Sequence, residues 1–564
     1  MIRNAQALAT EEYDLAIVGG GVYGISVARD AALRGLKVAL VEMRDFGHAT
    51  SSNHHKIIHG GFRYLQHADL KRMREAIRER RALLRIAPHL VQPVPFLIPT
   101  YKRFLQRKLL LSLALKLNDW ISLDRNRNLD PRRAIPRGRV ISKAGCVSLC
   151  PGLDQSDITG GAIFFDGQVT NLDRLNLALL ISSVNAGARV ANYVEATGFL
   201  RQRNRVTGIH LRDTLRGCSW TLRARVVVNC AGPWVDRVIE KLGGAVKPTL
   251  SGLCKSFVLV TRQLVSGVAV GIPSRFEYTD RDALVKKGFR YFFITPWRNT
   301  SLVGTFQTSY DGKPEALKVS ETEIDDAIRA INTAFPAAQL HRRDVITVLR
   351  GIVPASEASD LDGHVQLRKH YEIRDHASED GIEGLLSVIG VKYTTARSVA
   401  ERTVDLVFKK LAMKSPRCKT AVTPVYGGAI GSMEEFLARA VATKPPYIDV
   451  EIARHMALTY GTAHKEIFRY CDSKSFRSER VVSHFPVIKA QVLHSVRAEM
   501  AQRLSDVVFR RTDLGTAGYP GDDALAACAE IMGAELGWSR QRIGQEEQEV
   551  QREFDNEHGR CGHV

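Results

Sequence analysis

The chain has 564 residues, 45% of them hydrophobic, with 80 lysines and arginines against 60 aspartates and glutamates, a net charge of +20. That length predicts two or three domains, and the positive balance predicts attraction to phosphorylated ligands, acidic lipids or nucleic acid. No apolar run reaches about 18 residues, so a spanning helix is not expected, and the opening MIRNAQALATEE lacks the apolar core of a secretory signal.

The nine cysteines are scattered. Cys146 and Cys150 stand close together but have no second pair, which argues against a zinc site and for buried thiols in a reducing compartment. No metal site is expected.

Residues 13–43 read YDLAIVGGGVYGISVARDAALRGLKVALVEM. An apolar strand at 15–18 runs into Gly19, Gly21 and Gly24 in the spacing G-x-G-x-x-G. A helix follows at 25–33, then a second strand at 37–41 that ends on Glu42, about 20 residues after the glycines. The first glycine permits a tight turn, the second lets a pyrophosphate approach the backbone, and the third lets helix and strand pack. The helix N-terminus offers N–H groups to phosphate, and Glu42 suits a ribose. With the strand before and the helix after, the motif predicts dinucleotide binding.

Residues 50–65 read TSSNHHKIIHGGFRYL. Thr50, Ser51 and Ser52 can meet phosphate, and a short strand at 57–58 leads to His59, two glycines, Arg63 and Tyr64. A charged helix is predicted over 69–85. Residues 96–121 form a leucine-rich stretch with Lys102, Arg103, Arg107, Lys108, Lys116 and Trp120, which either lies in a membrane interface or packs on the domain. Residues 125–139 read as an exposed basic loop.

A helix is predicted at 173–185 and a strand at 189–194, with Val194 and Glu195 at its end. Another strand at 225–229 leads into Cys230-Ala231-Gly232. Alternating strands at 256–260, 289–295 and 300–305 predict an antiparallel sheet. A helix is expected at 321–335, and strands at 346–352 and 385–389. Gly390-Val391-Lys392-Tyr393-Thr394-Thr395 then opens a further helix, a second polar cradle. Beyond about residue 415 the chain is mostly helical, and 544–555 reads as an acidic tail helix that frays.

IVGGGVYGISVARDAALRGLKVALVE, TSSNHHKIIHGGFRYL, NCAGPWV, GVKYTTAR and VVFRRTDLGTAGYPG, in this order, resemble the FAD-dependent glycerol-3-phosphate dehydrogenases of the aerobic type. The resemblance covers nearly the whole chain. It implies an α/β protein with a discontinuous Rossmann-like FAD-binding domain (1–95, 150–245 and 345–412), an antiparallel-sheet substrate domain (96–149 and 246–344) and a helical C-terminal domain (413–564). It implies oxidation of glycerol 3-phosphate to dihydroxyacetone phosphate, with electrons passed to a quinone or to oxygen. It further implies a cytoplasmic protein, peripheral on the inner face of the membrane and compatible with a homodimer; nucleic acid is not an expected partner. For FAD it implicates Gly19, Gly21, Gly24, Glu42, Thr50, Ser51, Ser52, Val194, Gly232, Lys392, Tyr393 and Thr394. Around the substrate it implicates Arg63, Tyr64 and Lys392, and His59 is the histidine expected to act as base.

Three motifs depart from the family pattern. Phe257 stands where the family has histidine, Phe306 and Gln307 replace T-D, and Val353 replaces the arginine of G-V-R-P. They raise the expectation of a pocket with less charge and more apolar surface, suited to a less anionic alcohol or to an amine. Arg350, an odd number of residues before Val353, is expected on the opposite face of its strand. A non-catalytic basic flavoprotein is the remaining alternative.

Overall fold

The computed structural model describes residues 1–102, 105–243, 246–279, 287–359, 365–471, 476–516 and 518–558. Two sheets organise the first three quarters of the chain. In the first, Glu12–Val18 is central, paired in parallel with Val38–Val41 on one side and Ser219–Asn229 on the other. Arg189–Ala191 and Leu385–Ile389 extend it in parallel, and Glu372–Asp375 closes one edge antiparallel. Leu15, Ala16 and Ile17 are fully buried, as expected of a parallel strand covered on both faces. Helix Val22–Leu33 packs between Leu172–Asn185 and Ala396–Lys410.

The strand predicted at 189–194 is two strands. Arg189–Ala191 ends, Tyr193 takes a left-handed φ of 55°, and Val194 begins Val194–Gln202, so Val194 opens a strand rather than ending one. This second strand folds back through Arg205–Asp213 to Ser219–Asn229 as an antiparallel meander.

The second sheet is antiparallel except where Ala269 and Val270 pair in parallel with Phe96 and Leu97. It contains Leu253–Arg262, Ala269–Thr279, Lys287–Trp297 and Thr300–Ser309. It also contains Val91–Tyr101, Ile158–Val169 and Val345–Ser359, although residues 91–95, 158–169 and 345–359 fall within the expected FAD-binding segments. One face is covered by helix Glu321–Ala334 over Phe257, Phe292, Ile294 and Val348.

The leucine-rich stretch divides in two. Its first part is strand Val91–Tyr101 and its second is helix Leu105–Ile121. Leu115 is buried beside Gly138, while Leu113, Leu117 and Trp120 are 64%, 40% and 69% exposed. The side chains of Arg103, Arg107 and Lys108 lie outside the described residues.

The C-terminal part is helical. Its last helix, Arg540–His558, is anchored along one side rather than polar all round. Glu546, Val550 and Phe554, four residues apart, form a buried stripe. Phe554 packs on Phe509 with ring centroids 4.9 Å apart, and Glu546 Oε2 accepts from the Leu504 N–H at 2.8 Å.

Candidate functional site

The glycine loop leaves the central strand and enters helix Val22–Leu33 with Gly21 as N-cap and no side chain of its own to cap the first turn. A Cβ at Gly24 would fall 1.9 Å from Gly19 O, so the third glycine is needed for strand and helix to meet. A Cβ at Gly21 would meet only Ser51 Oγ, at 3.1 Å, so this flank of the turn is open to a ligand. Ser51 Oγ accepts from the Val22 N–H at 2.9 Å, which brings Ser51 to the helix N-terminus.

Glu42 is buried at the end of its strand. Its carboxylate accepts from the N–H groups of Gly20 at 2.6 Å and Arg44 at 2.9 Å. A carboxylate has about four acceptor positions, so capacity is left for ribose hydroxyls. Burial raises its pKa, with the two backbone bonds opposing the rise. His48 Nδ1 lies 3.7 Å from Glu42, but burial and the nearby Arg510 and Arg44 push its pKa down to about 3. The imidazole is therefore neutral at pH 7, and the pair is not an ion pair. The Val194 N–H donates to Glu42 O at 2.7 Å, and the Cys230 N–H to Val18 O at 2.8 Å. Val194 and the Gly232 turn thus lie at the same end of the sheet as the glycine loop. A helix start without a side chain at its N-cap, an open glycine and a buried acid fit the adenosine and pyrophosphate of FAD.

The other end of the site joins two distant segments. The His59 N–H donates to Thr394 Oγ1 at 3.2 Å, across 335 residues of sequence. Lys392 Nζ donates to Tyr64 Oη and sits 4.3 Å from the centroid of that ring. Tyr393 Oη donates to Asn176 Oδ1 at 2.8 Å. Arg63 lies in the 3-10 turn Phe62–His67, its side chain outside the described residues. Thr50 Oγ1 donates to Ile352 O at 3.0 Å and accepts from the Ile352 N–H at 3.1 Å. Ser52 Oγ is 3.4 Å from Asn176 Nδ2.

Three contributors were not singled out from sequence. Tyr23, inside the glycine loop, bonds to the backbone of Lys392. Asp166 lies beside His59, with 3.4 Å between Oδ2 and Nδ1. Lys56, buried, donates to Ser52 O at 3.3 Å, and burial brings its pKa down to about 8. The one local signal was Tyr23, an aromatic residue set among glycines.

A family model described as FAD dependent oxidoreductase matches residues 14–396, and one described as the C-terminal domain of alpha-glycerophosphate oxidase matches 418–543. A glycerol-3-phosphate dehydrogenase from Synechocystis sp. is 34% identical over 553 residues, 96% of each chain. The chain belongs to the FAD-dependent glycerol-3-phosphate dehydrogenase family. The human mitochondrial glycerol-3-phosphate dehydrogenase is 30% identical, covering 98% of this chain and 75% of that protein. The structure of the Bacillus halodurans glycerol-3-phosphate dehydrogenase complexed with FAD matches with a TM-score of 0.75 at 24% identity, over 99% of this chain and 97% of that one. The fold is therefore the expected one: an α/β FAD-binding part, an antiparallel-sheet part and a helical C-terminal domain.

The family departures take on a different meaning in three dimensions. A Cβ at Gly351 would lie 2.9 Å from Thr50 Cγ2, so Gly351 faces Thr50. Arg350 faces the other way, into a recess of about 160 Å³ with Glu315, Glu321, Ile324 and Val348. Phe257 pairs with Arg350 across the ladder and stacks on Phe306 at 5.2 Å, inside the core under helix Glu321–Ala334. Neither phenylalanine lines the site, so the expectation that they make its pocket more apolar is overturned. Val353 and Gln307, whose ladder partner Ser256 lies opposite Gly351, are the departures that stay on the Thr50 face.

Proposed function

We propose that this protein oxidises glycerol 3-phosphate at its secondary carbon to dihydroxyacetone phosphate and passes the electrons to a quinone or a similar acceptor. The supporting observation is the convergence of His59, Tyr64, Lys392 and Thr394 beside a dinucleotide cradle. FAD, when bound, supplies the hydride acceptor. Gly19, Gly21, Gly24, Glu42, Val194 and Gly232 hold its adenosine half; Thr50, Ser51 and Ser52 run along its phosphates and ribityl chain; Lys392, Tyr393 and Thr394 approach its flavin end.

Lys392 and Arg63 clamp the substrate phosphate through charge-assisted hydrogen bonds. Tyr64, engaged by Lys392, fixes the direction from which the ammonium reaches the substrate. The His59 side chain is 60% exposed, so its ring is within reach of a substrate hydroxyl entering the site. Residues 1–95, 150–245 and 345–412 make up the proposed FAD-binding domain, although several of their strands run in the second sheet.

The protein is proposed to be cytoplasmic and peripheral on the inner face of the membrane. The exposed stripe Leu113, Leu117 and Trp120, followed by Leu123 at 72% exposure, supports this. So does the net charge of +20. No described helix is long and apolar enough to cross a membrane. Turnover of glycerol 3-phosphate with a soluble quinone, yielding one dihydroxyacetone phosphate per quinone reduced, tests the function; absence of that product contradicts it.

A further inference from the structure

We propose that Asp166 is the positioning residue that makes His59 a base, by holding the imidazole proton on Nδ1 and leaving the Nε2 lone pair toward the substrate hydroxyl. The inference rests on the alcohol oxidation proposed above.

Asp166 is 3% exposed, on strand Ile158–Val169. Its two oxygens have different partners. Oδ1 accepts from the Gly60 N–H at 2.6 Å and from Arg80 Nη1 at 2.5 Å. Oδ2 is 3.4 Å from His59 Nδ1. Arg80, on helix Leu70–Ile86, also donates to Phe165 O at 2.6 Å, so the carboxylate is braced from behind. The brace admits no slack at Gly60, where a Cβ would fall 2.1 Å from Arg80 Nη1.

Burial opposes ionisation of Asp166, yet the hydrogen bond with His59 and the charge of Arg80 outweigh it and hold the carboxyl below its ordinary range. It is therefore an acceptor at pH 7, and a ring nitrogen facing an acceptor carries the proton. The other ionisable groups around the ring do not compete for this role. Burial drives His54 and His55 down to about 3, so both are neutral. Lys392 is engaged by Tyr64 on the Thr394 side.

The proton then has a defined path. The substrate O–H bond breaks with its proton passing to His59 Nε2. The adjacent C–H bond breaks with its electron pair leaving as hydride to FAD, and the C=O bond forms. Asp166 stabilises the resulting imidazolium without itself taking the proton, the role an aspartate plays behind a histidine base.

Asp166→Asn tests this. The amide keeps an oxygen for Gly60 and Arg80 but turns an N–H toward Nδ1, which forces the proton onto Nε2. Flavin reduction by saturating glycerol 3-phosphate should slow about 100-fold, with FAD content unchanged. In the His59→Asn background the same substitution should cost nothing more. Full additivity of the two substitutions would overturn the proposal, because Asp166 would then act through the scaffold alone.

Should Asp166→Asn fail to fold, nitrogen-15 histidine NMR of the wild-type holoenzyme decides instead, with the resonance assigned by His59→Asn. A proton on Nδ1 supports the proposal and a proton on Nε2 overturns it. The tautomer is read without substrate. Its failure is thereby distinguishable from failure of the proposed function, which would appear as wild-type flavin that glycerol 3-phosphate does not reduce.

Discussion

The Tyr23 hydroxyl donates to Lys392 O at 2.7 Å and accepts from the Lys392 N–H at 3.1 Å, joining residues 369 apart. Its ring fills the space where a Cβ on Gly390 would stand. Burial pushes its pKa up to about 12, so it remains protonated and can donate. The glycine loop and the lysine loop are thus one unit.

Tyr23→Phe removes both bonds and leaves the Lys392 peptide groups unpaired. At roughly 1 kcal/mol for each bond, kcat/KM for glycerol 3-phosphate should fall about tenfold to a hundredfold, while the protein stays yellow. Steady-state kinetics set against flavin absorbance give the answer. An unchanged kcat/KM would show that Lys392 is held by other contacts.

Gly21 separates folding from cofactor binding. Its backbone is extended at φ −77° and ψ 178°, and its Cβ direction is open apart from Ser51 Oγ. Gly21→Val should therefore fold, with a melting temperature close to that of wild-type apoprotein, and bind no FAD, because the side chain occupies the pyrophosphate approach. Flavin release on denaturation measures it: wild type should release FAD and the variant none.

The helical domain is bolted to the nucleotide end. Asp45 accepts from Arg510 Nε at 2.6 Å and from Arg511 Nη1 and Nη2 at 2.7 and 2.8 Å. Burial opposes the charge of Asp45, but the two arginines outweigh it and hold its carboxyl far below the ordinary aspartate range. Asp506, which shares the arginines, is instead raised by burial and by Asp45. For Asp45 the folded pKa is the lower one, so its stabilisation is complete above about pH 4 and fades as pH falls toward the folded value. Between pH 6 and pH 3 the melting temperature should therefore fall less for Asp45→Asn than for wild type. Arg511→Met should cost about 3 kcal/mol at neutral pH, since it strips a partner from a buried carboxylate.

Helix Leu105–Ile121 has two apolar faces, one carrying buried Leu115 and one carrying exposed Leu113, Leu117 and Trp120. Trp120→Glu should weaken sedimentation with anionic vesicles at least tenfold at low salt, a change of about 1.4 kcal/mol. Turnover of a soluble acceptor should be unaffected. Equal sedimentation of both proteins would remove this face as the membrane contact.

Features encoded within a short span of sequence were legible: the glycine loop, Glu42 and the start of the Ala396–Lys410 helix. Their chemistry follows from neighbouring residues. The Tyr23–Lys392 and Asp166–His59 relationships were not, because each joins segments more than 100 residues apart. The polar composition of the tail helix conceals its buried stripe, which only the four-residue spacing of Glu546, Val550 and Phe554 carries. The facing of Phe257 and Phe306 is hidden for another reason. Matching a motif says which residue replaces which, whereas the strand pleat decides which way it points. For Arg350 the same alternation gave the right face.

Glycerol 3-phosphate is the proposed reductant of this protein's flavin. Anaerobic titration of the purified holoenzyme, followed by flavin absorbance, tests it most directly, and it bears on the missing cation at Val353. Bleaching at about 1 mM glycerol 3-phosphate or below, with stoichiometric dihydroxyacetone phosphate, is the predicted result. Flavin that stays oxidised with glycerol 3-phosphate but bleaches with glycerol or an amine would contradict it.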